Sequence, residues 1–530
     1  MSSPPTDVTE KAVDLADDKS TYVRPVLGKW RRLSLLFLWC LAEFMDSFVA
    51  SAIFPAIPAQ ERALGISPTE ITWVFSAYGA TFSAFLLISG RISDIYSAKW
   101  SFIVGSAGVG LFALGCGFVH DKIALFILRA LTGVCAALTV PSALSLIVEW
   151  FPDPQEQNRA IAAFGGTGAL GNVLGIVIGG VFVQWASWRW DYWFTCMMGL
   201  PIAIISILIT PQSAPRPHKP SWRRLDLGGV VLITAAIILF IYGITTGSSS
   251  GWKDAKVIAP LILSVLLATA YFILEAKLDP HMASLPPSVW KHPNVPILVT
   301  IALVPFFFWC ALYFQLIPRF QEVYGWSAIL TAIHFLPTGI FAGLIAGFAG
   351  MFPKYVNPKW TILFGLCVDI VATILLPFAN KSDRYWSLIF PAFIIGTMGN
   401  MIVYTNANIA IFMNTPPELA GTIGAIFNAA LQMGNALGLA VIGTITNSVD
   451  KKRIKEGEDP GYHGIADGFW FLLAALVLEI VLLLIFYKIE KQPVPAPAQD
   501  IEGNATPGVR SSTGTIAEDP VKEASQSEKV

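Results

Sequence analysis

Charge is what this chain has least of. Asp, Glu, Lys and Arg make up 13% of its 530 residues, about half the roughly 25% of an ordinary soluble domain. Water therefore cannot be the solvent for most of it. The net charge of -1 offers no basic stripe, which excludes a nucleic-acid partner. No G-x-x-x-x-G-K-[ST] loop is present, which argues against direct driving by ATP. GGTGALG (165–171) contains G-x-G-x-x-G, but no strand precedes it and a dinucleotide site does not follow. The six cysteines (Cys40, Cys116, Cys135, Cys196, Cys310 and Cys367) lie in apolar runs without metal-ligand spacing and read as small buried hydrophobes. No nucleophile–base set appears, so the chain is expected to be no enzyme and to hold no metal or cofactor.

What is abundant is apolar sequence: 54% of the residues are hydrophobic and the mean hydropathy is +0.61. A bilayer core needs about 20 apolar residues per helix. About fourteen runs qualify: 33–57, 71–89, 101–119, 123–148, 160–184, 191–210, 227–247, 257–276, 295–318, 328–350, 361–379, 386–413, 420–446 and 468–487. Lys and Arg are about twice as frequent in the short loops on the side of the N-terminus, which places both termini in the cytoplasm. KKRIKEGEDP (451–460), on the other side, breaks that bias, although its acids largely balance it. The Asn380-Lys-Ser sequon then lies outside and is a glycosylation candidate. The ends, residues 1–30 and 491–530, are poor in apolar residues and read as disordered cytoplasmic tails.

The sequence repeats itself. GALGNVLGIVIGG (168–180) returns as QMGNALGLAVIG (432–443), SAKWSFIVG (97–105) as NPKWTILFG (357–365), and IFPAIP (53–58) as FQLIPR (314–319), all at an offset of about 260. This predicts a six-span bundle over 31–210 and another over 281–490, with two extra spans within 211–280. Parallel repeats of this kind bind their cargo between them, near the membrane midplane. Glycine is costly in a helix interior, about 1 kcal/mol relative to alanine. Gly168, Gly171, Gly175 and Gly179 share one helix face, as do Gly434 and Gly438, a pattern that lets a neighbouring helix approach closely.

Ionisable groups inside a membrane are functional candidates. Glu43, Asp46, Arg129 and Asp369 lie deep in their runs, and Glu479 lies in the last, where packing or snorkelling is the better reading. Glu43 and Asp46, three residues apart, share a helix face. Burial and mutual repulsion make the pair a proton carrier, with Arg129 able to pull one member back down. The alternative for Asp46 is a hydrogen-bond acceptor for an adjacent helix. At the repeat offset Asp46 falls on Phe308, Glu43 on Pro305 and Arg129 on Phe390, so the charges have no second copy. The second half offers amides and hydroxyls instead, which predicts proton handling in the first half and much of cargo recognition in the second. The cavity candidates are Trp39, Trp73, Tyr78, Phe308, Tyr313, Asn400, Tyr404, Asn428 and Gln432. An apolar pocket with a few polar anchors suits hydrophobic ligands.

These residues also carry a family resemblance. FMDSFVASAIFPAIP (44–58), GRISDIYSAKW (90–100), RALTGVCAA (129–137), GALGNVLGIVIGG and SWRWDYWF (187–194) together resemble motifs of the major facilitator superfamily, in particular its fourteen-span drug:proton antiporters. The resemblance covers about residues 30–490. It implies an all-α integral membrane fold of two six-helix bundles plus two extra helices, about fourteen transmembrane helices in all. It assigns Gly90, Asp94 and Lys99 to the gating loop between spans two and three, with Arg159 a partner for Asp94. Ile95, Ser97 and Ala98 depart from that loop's usual basic and glycine residues. It assigns Gly168, Gly171, Asn172, Gly175, Gly179 and Gly180 to the antiporter motif, although Asn172 and Ile176 stand where proline is frequent. RISDIYSAKW and GWKDAK (251–256) also look like the yeast aminotriazole-resistance transporters and their ammonium- or borate-moving relatives.

The expected function is a proton-coupled exporter of small, mostly hydrophobic toxic compounds or secondary metabolites, driven by the proton gradient. The alternative is a transporter of a small solute such as ammonium, borate or aminotriazole. Its partners would be the small-molecule cargo, protons and the lipid bilayer. It is expected to be a monomer, in the plasma membrane or else the vacuolar membrane.

Overall fold

The computed structural model describes residues 27–68, 70–211, 226–278, 289–349, 356–413, 415 and 420–489. Both tails fall almost wholly outside these residues. Among the described residues the chain is helical, without strands. The first half holds α1 (Lys29–Ser51), α2 (Ile57–Leu64), α3 (Thr72–Ile95), α4 (Ala98–Phe118), α5 (Lys122–Trp150), α6 (Pro154–Trp185) and α7 (Arg189–Ile209). Then come α8 (Leu227–Ser250) and α9 (Ala255–Lys277). The second half holds α10 (Val295–Pro318), α11 (Ala328–Ala349), α12 (Pro358–Leu375), α13 (Phe390–Met413), α14 (Ala420–Lys455) and α15 (His463–Phe486). Among these residues 13 helices are long and apolar enough to cross a membrane. With α3, at 24 residues, the long helices number fourteen.

Local chemistry sets many of the helix starts. Asp121, Asp153, Asp226 and Asp254 precede α5, α6, α8 and α9, and each carboxylate accepts a backbone N–H of the first turn. Asn357 does the same for α12, where Pro358 follows at the first position. These side chains answer donors that a helix start leaves free, and proline there loses nothing.

α1 and α3–α7 pack into one six-helix bundle and α10–α15 into another, while α8 and α9 pair with each other beside α3 and α14. The bundles meet along α3 with α14 and along α6 with α11. Polar contacts define two faces. On the near face, where α1 begins, Lys99 Nζ donates to the carbonyls of Ile207 (3.2 Å) and Thr210 (2.5 Å) at the end of α7. At the equivalent point of the second half, Lys359 Nζ donates to Leu484 O (3.2 Å) and Tyr487 O (2.9 Å) at the end of α15. The repeated Lys-Trp pair thus serves the same purpose twice: an ammonium answers the orphan carbonyls of the last helix in each bundle.

Four predicted spans differ by six residues or more at one end: the second runs on to Ile95 in α3, the fifth begins at Pro154 in α6, and the other two have a local chemical reason. The first was expected to run to 57, but α1 stops at Ser51 and the chain turns through 52–56 before α2. Pro55 lies in that turn and Pro58 in the first turn of α2, where a missing N–H is harmless. The thirteenth was expected to end at 446, but α14 continues to Lys455 and absorbs KKRIK. Lys452, Arg453 and Lys455 in its last turn complement the helix dipole, and Arg453 pairs with Glu458 at 2.9 Å.

Candidate functional site

The glycine face of α6 lies on α1. A methyl group at Gly168 would stand 2.7 Å from Glu43 Oε1, and at Gly171, Gly175 and Gly179 it would overlap Phe44 O, Ser51 Oγ and Ala52 O. In the second half Gly434 and Gly438 hold α14 equally close to Leu303 and Phe307 of α10. Gly180 points the other way: a methyl there would sit 2.9 Å from Ala328 O of α11, so it serves the seam between the bundles. Gly90 has open space where a side chain would be.

This close approach buries the two α1 carboxylates. Asp46 is 6% exposed; one of its oxygens accepts the hydroxyl of Thr139 on α5, and the other has no partner. Glu43 turns toward Gly168 and stands within electrostatic reach of Tyr404 on α13, in the opposite bundle. Its Oε2 has no hydrogen-bond partner. The pair expected to act together therefore addresses two different neighbours.

Arg129 does not join them. It is 1% exposed, its Nε donates to Val74 O at 2.9 Å, and its guanidinium lies 4.6 Å from the centre of the Tyr78 ring. Among the described residues no ion pair links it to Glu43 or Asp46. Tyr78 is accordingly a platform for Arg129 inside the first bundle.

The remaining cavity candidates divide by location. Tyr313 on α10 donates to Asn172 Oδ1 on α6 at 3.4 Å, a bridge between the bundles. Its ring also meets Phe54, with centroids 5.2 Å apart. Tyr404 stacks with Phe306 (6.5 Å) and meets Phe427 (6.3 Å), and this group faces Glu43. Gln432 Oε1 is buried with no partner, whereas Asn428 donates to Gly424 O of its own helix at 2.9 Å. Asn400 is wholly buried and ties α13 to α10 through Pro305 O at 2.9 Å. Phe308 fills the space over Gly396 inside the second bundle, and Trp39 is buried inside the first. Trp73 packs at the seam of α3, α8 and α14 rather than with the Tyr313 or Tyr404 groups. Asp369 is buried against α13 at Gly399, and Glu479 accepts from Thr300 Oγ1 at 3.4 Å.

Lys99 is committed to the end of α7, and Arg159 is exposed near the start of α6. The Asp94 side chain, and with it the expected Asp94–Arg159 contact, lies outside the described residues. Asn380 is exposed between α12 and α13, and its carbonyl accepts from Arg319 at 3.4 Å.

Sequence reasoning missed Asp191. It lies in the first turn of α7, 4% exposed, with both carboxylate oxygens unpartnered. A small cavity with about 10 Å³ open to the centre of a water molecule joins it to Arg129, Thr132 and Thr195, about the room one water needs. The signal was its spacing: Asp191 and Thr195 are one turn apart and make a polar strip inward from the Trp-Arg-Trp junction.

On the face opposite the near face, here the far face, the bundles are sealed together. Gln321 Nε2 donates to Pro55 O and Asn447 Nδ2 to Pro68 O, each at 3.1 Å. Phe54 stacks on Phe75 with centroids 4.6 Å apart.

Two six-helix bundles related by the sequence repeat, with carboxylates buried inside them, are the architecture of a multi-pass membrane transporter. The family model described as Major Facilitator Superfamily matches residues 39–439, and the chain belongs to that family. It is 28% identical over 466 residues to the major facilitator superfamily multidrug transporter mfsC of Aspergillus fumigatus, covering 86% of each chain. It is 29% identical over 469 residues to the puromycin resistance protein pur8 of Streptomyces alboniger, covering 86% of this chain and 90% of that one. Among solved structures, a bacterial homologue of the human lysosomal transporter Spinster superposes with a TM-score of 0.60 at 16% identity, over 87% of this chain and 97% of that one.

Proposed function

We propose that the chain exchanges protons for small, mostly hydrophobic toxic compounds or secondary metabolites, exporting them without any cofactor. The observation that carries this reading is Asp46: a carboxylate buried between α1 and α5 of the first bundle, held by one hydroxyl and by no cation. Such a group is costly to keep charged away from water, so its protonation follows its hydration, which differs between the two open states of a rocking transporter. Cargo recognition is assigned to the aromatic and amide groups between the bundles, Phe306, Tyr404, Tyr313, Asn172 and Gln432. The names of the relatives, a multidrug transporter and a puromycin resistance protein, support the cargo class. The lysine and arginine bias supports cytoplasmic termini, and a monomer in the plasma membrane is the arrangement proposed.

The test is puromycin accumulation in proteoliposomes carrying the full chain. With one proton exchanged per molecule, a gradient of one pH unit, about 1.4 kcal/mol, supports about tenfold accumulation. The wild type is expected to accumulate puromycin on the acidic side, and Asp46→Asn is expected to bind it without accumulating it. Accumulation independent of the gradient would refute proton coupling. Gradient-driven movement of ammonium or borate, with no response to puromycin, would transfer the assignment to a small-solute carrier.

A further inference from the structure

We propose that Asp191 is a second proton-binding carboxylate of the transport cycle, set opposite Arg129 across the cavity inside the first bundle. The proposal rests on the proton-coupled reading above and adds a residue to it.

The four aspartates that precede α5, α6, α8 and α9 all turn back to accept a backbone N–H. Asp191, two residues inside α7, does not: its oxygens reach no donor and it lines the cavity instead. Arg129 spends Nε on Val74 O and rests on Tyr78 without a carboxylate in ion-pair range. A lone buried cation and a lone buried carboxylate therefore border the same water-sized space, and a water there can bridge them.

The other groups around Asp191 cannot hold its charge. α1 contributes only Phe48, Val49, Ala52 and Ile53 to the cavity. α4 contributes Ala113 there and the buried Cys116 thiol nearby. α6 meets α7 through Phe182, packed on Trp190 and Phe194. Thr132 and Thr195 spend their hydroxyl protons on Leu128 O (2.7 Å) and on the backbone carbonyl of Asp191 (2.8 Å). They are left as acceptors, suited to water or to a protonated Asp191. Tyr192 faces Gln60, whose Nε2 donates to its hydroxyl at 3.5 Å.

The placement suits proton transfer along α5. Asp191 stands near the far-face end of α7, beside Arg129 and Thr132. Thr139, seven residues beyond Thr132 or about 10 Å along the helix, holds Asp46. The step is a simple protonation: an excess proton from the solvent is relayed through the cavity water, which passes one proton to the Asp191 carboxylate and receives another, so the carboxyl becomes neutral and the water is unchanged.

The experiment is infrared spectroscopy of the reconstituted full chain through a pH titration, combined with puromycin accumulation and puromycin exchange at equal pH. In Asp191→Asn one protonated-carboxyl band is expected to disappear, gradient-driven accumulation to be lost, and exchange to persist with a flattened pH profile. In Asp191→Glu the band is expected to shift and accumulation to return. An unchanged titration spectrum in Asp191→Asn, or preserved gradient-driven accumulation, overturns the proposal. So does loss of exchange in both variants, the mark of a purely structural role. A wild type indifferent to the gradient overturns the proton-coupled reading instead, while the infrared band still decides whether Asp191 takes up a proton.

Discussion

Arg129 brings five N–H donors into a setting that is 1% exposed. Its Nε answers Val74 O, and the face of its guanidinium gains cation–π attraction from Tyr78. Arg129→Ala strips Val74 O of its donor and is expected to cost about 1–3 kcal/mol of stability. Arg129→Lys keeps the charge but loses the planar stack. Its unfolding midpoint in detergent is expected between those of Arg129→Ala and the wild type. Equal midpoints for all three proteins would show that neither contact matters. At this scale the sequence conveyed residue type but not direction. Glu43 and Asp46 share a helix face by spacing, yet one meets Gly168 and the other Thr139. The direction depends on which partner helix lies closer, and that is a tertiary fact.

At the scale of elements, the run GGTGALGNVLGIVIGG contains glycines with opposite physical roles. Gly171 is pressed onto the backbone of Phe44, whereas Gly166 has nothing within 4 Å of its missing Cβ. Gly171→Ala must push α1 and α6 apart and is expected to cost about 1–3 kcal/mol, as overpacking does. Gly166→Ala meets no obstacle and gains helix propensity, up to about 1 kcal/mol. Opposite shifts in the thermal midpoint are therefore expected from adjacent turns of one helix, and matching shifts would refute the packing role of Gly171. The long helices, and α8 with α9 as an extra pair, were legible because a bilayer demands uninterrupted apolar length. The ends were less so: proline chemistry ended α1 early, and three basic residues let α14 run past its apolar limit. Lys99 was legible only as a gating residue by resemblance. Its contact with the end of α7 needed the neighbouring helix, although the Lys359 copy of the same motif was visible in the repeat.

At the scale of the whole molecule, opening the far face must separate Pro55 from Gln321 and Pro68 from Asn447. Two glutamates, one from each half, border this seal: Glu61 on α2, and Glu322 in the π-helical turn that continues α10. Burial, followed by the Glu322 charge and only partly opposed by Arg62, raises the Glu61 carboxyl to about 7. Glu70 on the same face behaves otherwise. Burial pushes it upward too, but donors from Lys122 and Ser67 hold it below the usual range. The sign for Glu61 follows from linkage: a carboxyl whose affinity for protons rises in one conformation favours that conformation while it is protonated. Its contribution to the sealed state is complete below about 4.5, the ordinary value, and is lost as pH rises through about 7. Acid on the far side is therefore expected to hold this face shut, and neutral or alkaline solution to loosen it by restoring repulsion with Glu322. Fluorophores on cysteines introduced at two exposed, uncharged far-face positions, Ala63 and Val323, can follow the separation against pH. The distance is expected to grow in the wild type as pH rises from about 4.5 to about 7, the interval between the ordinary and the raised Glu61 values, and to lose that dependence in Glu61→Gln. A separation that grows instead as the solution is acidified would assign the seal to a group other than Glu61.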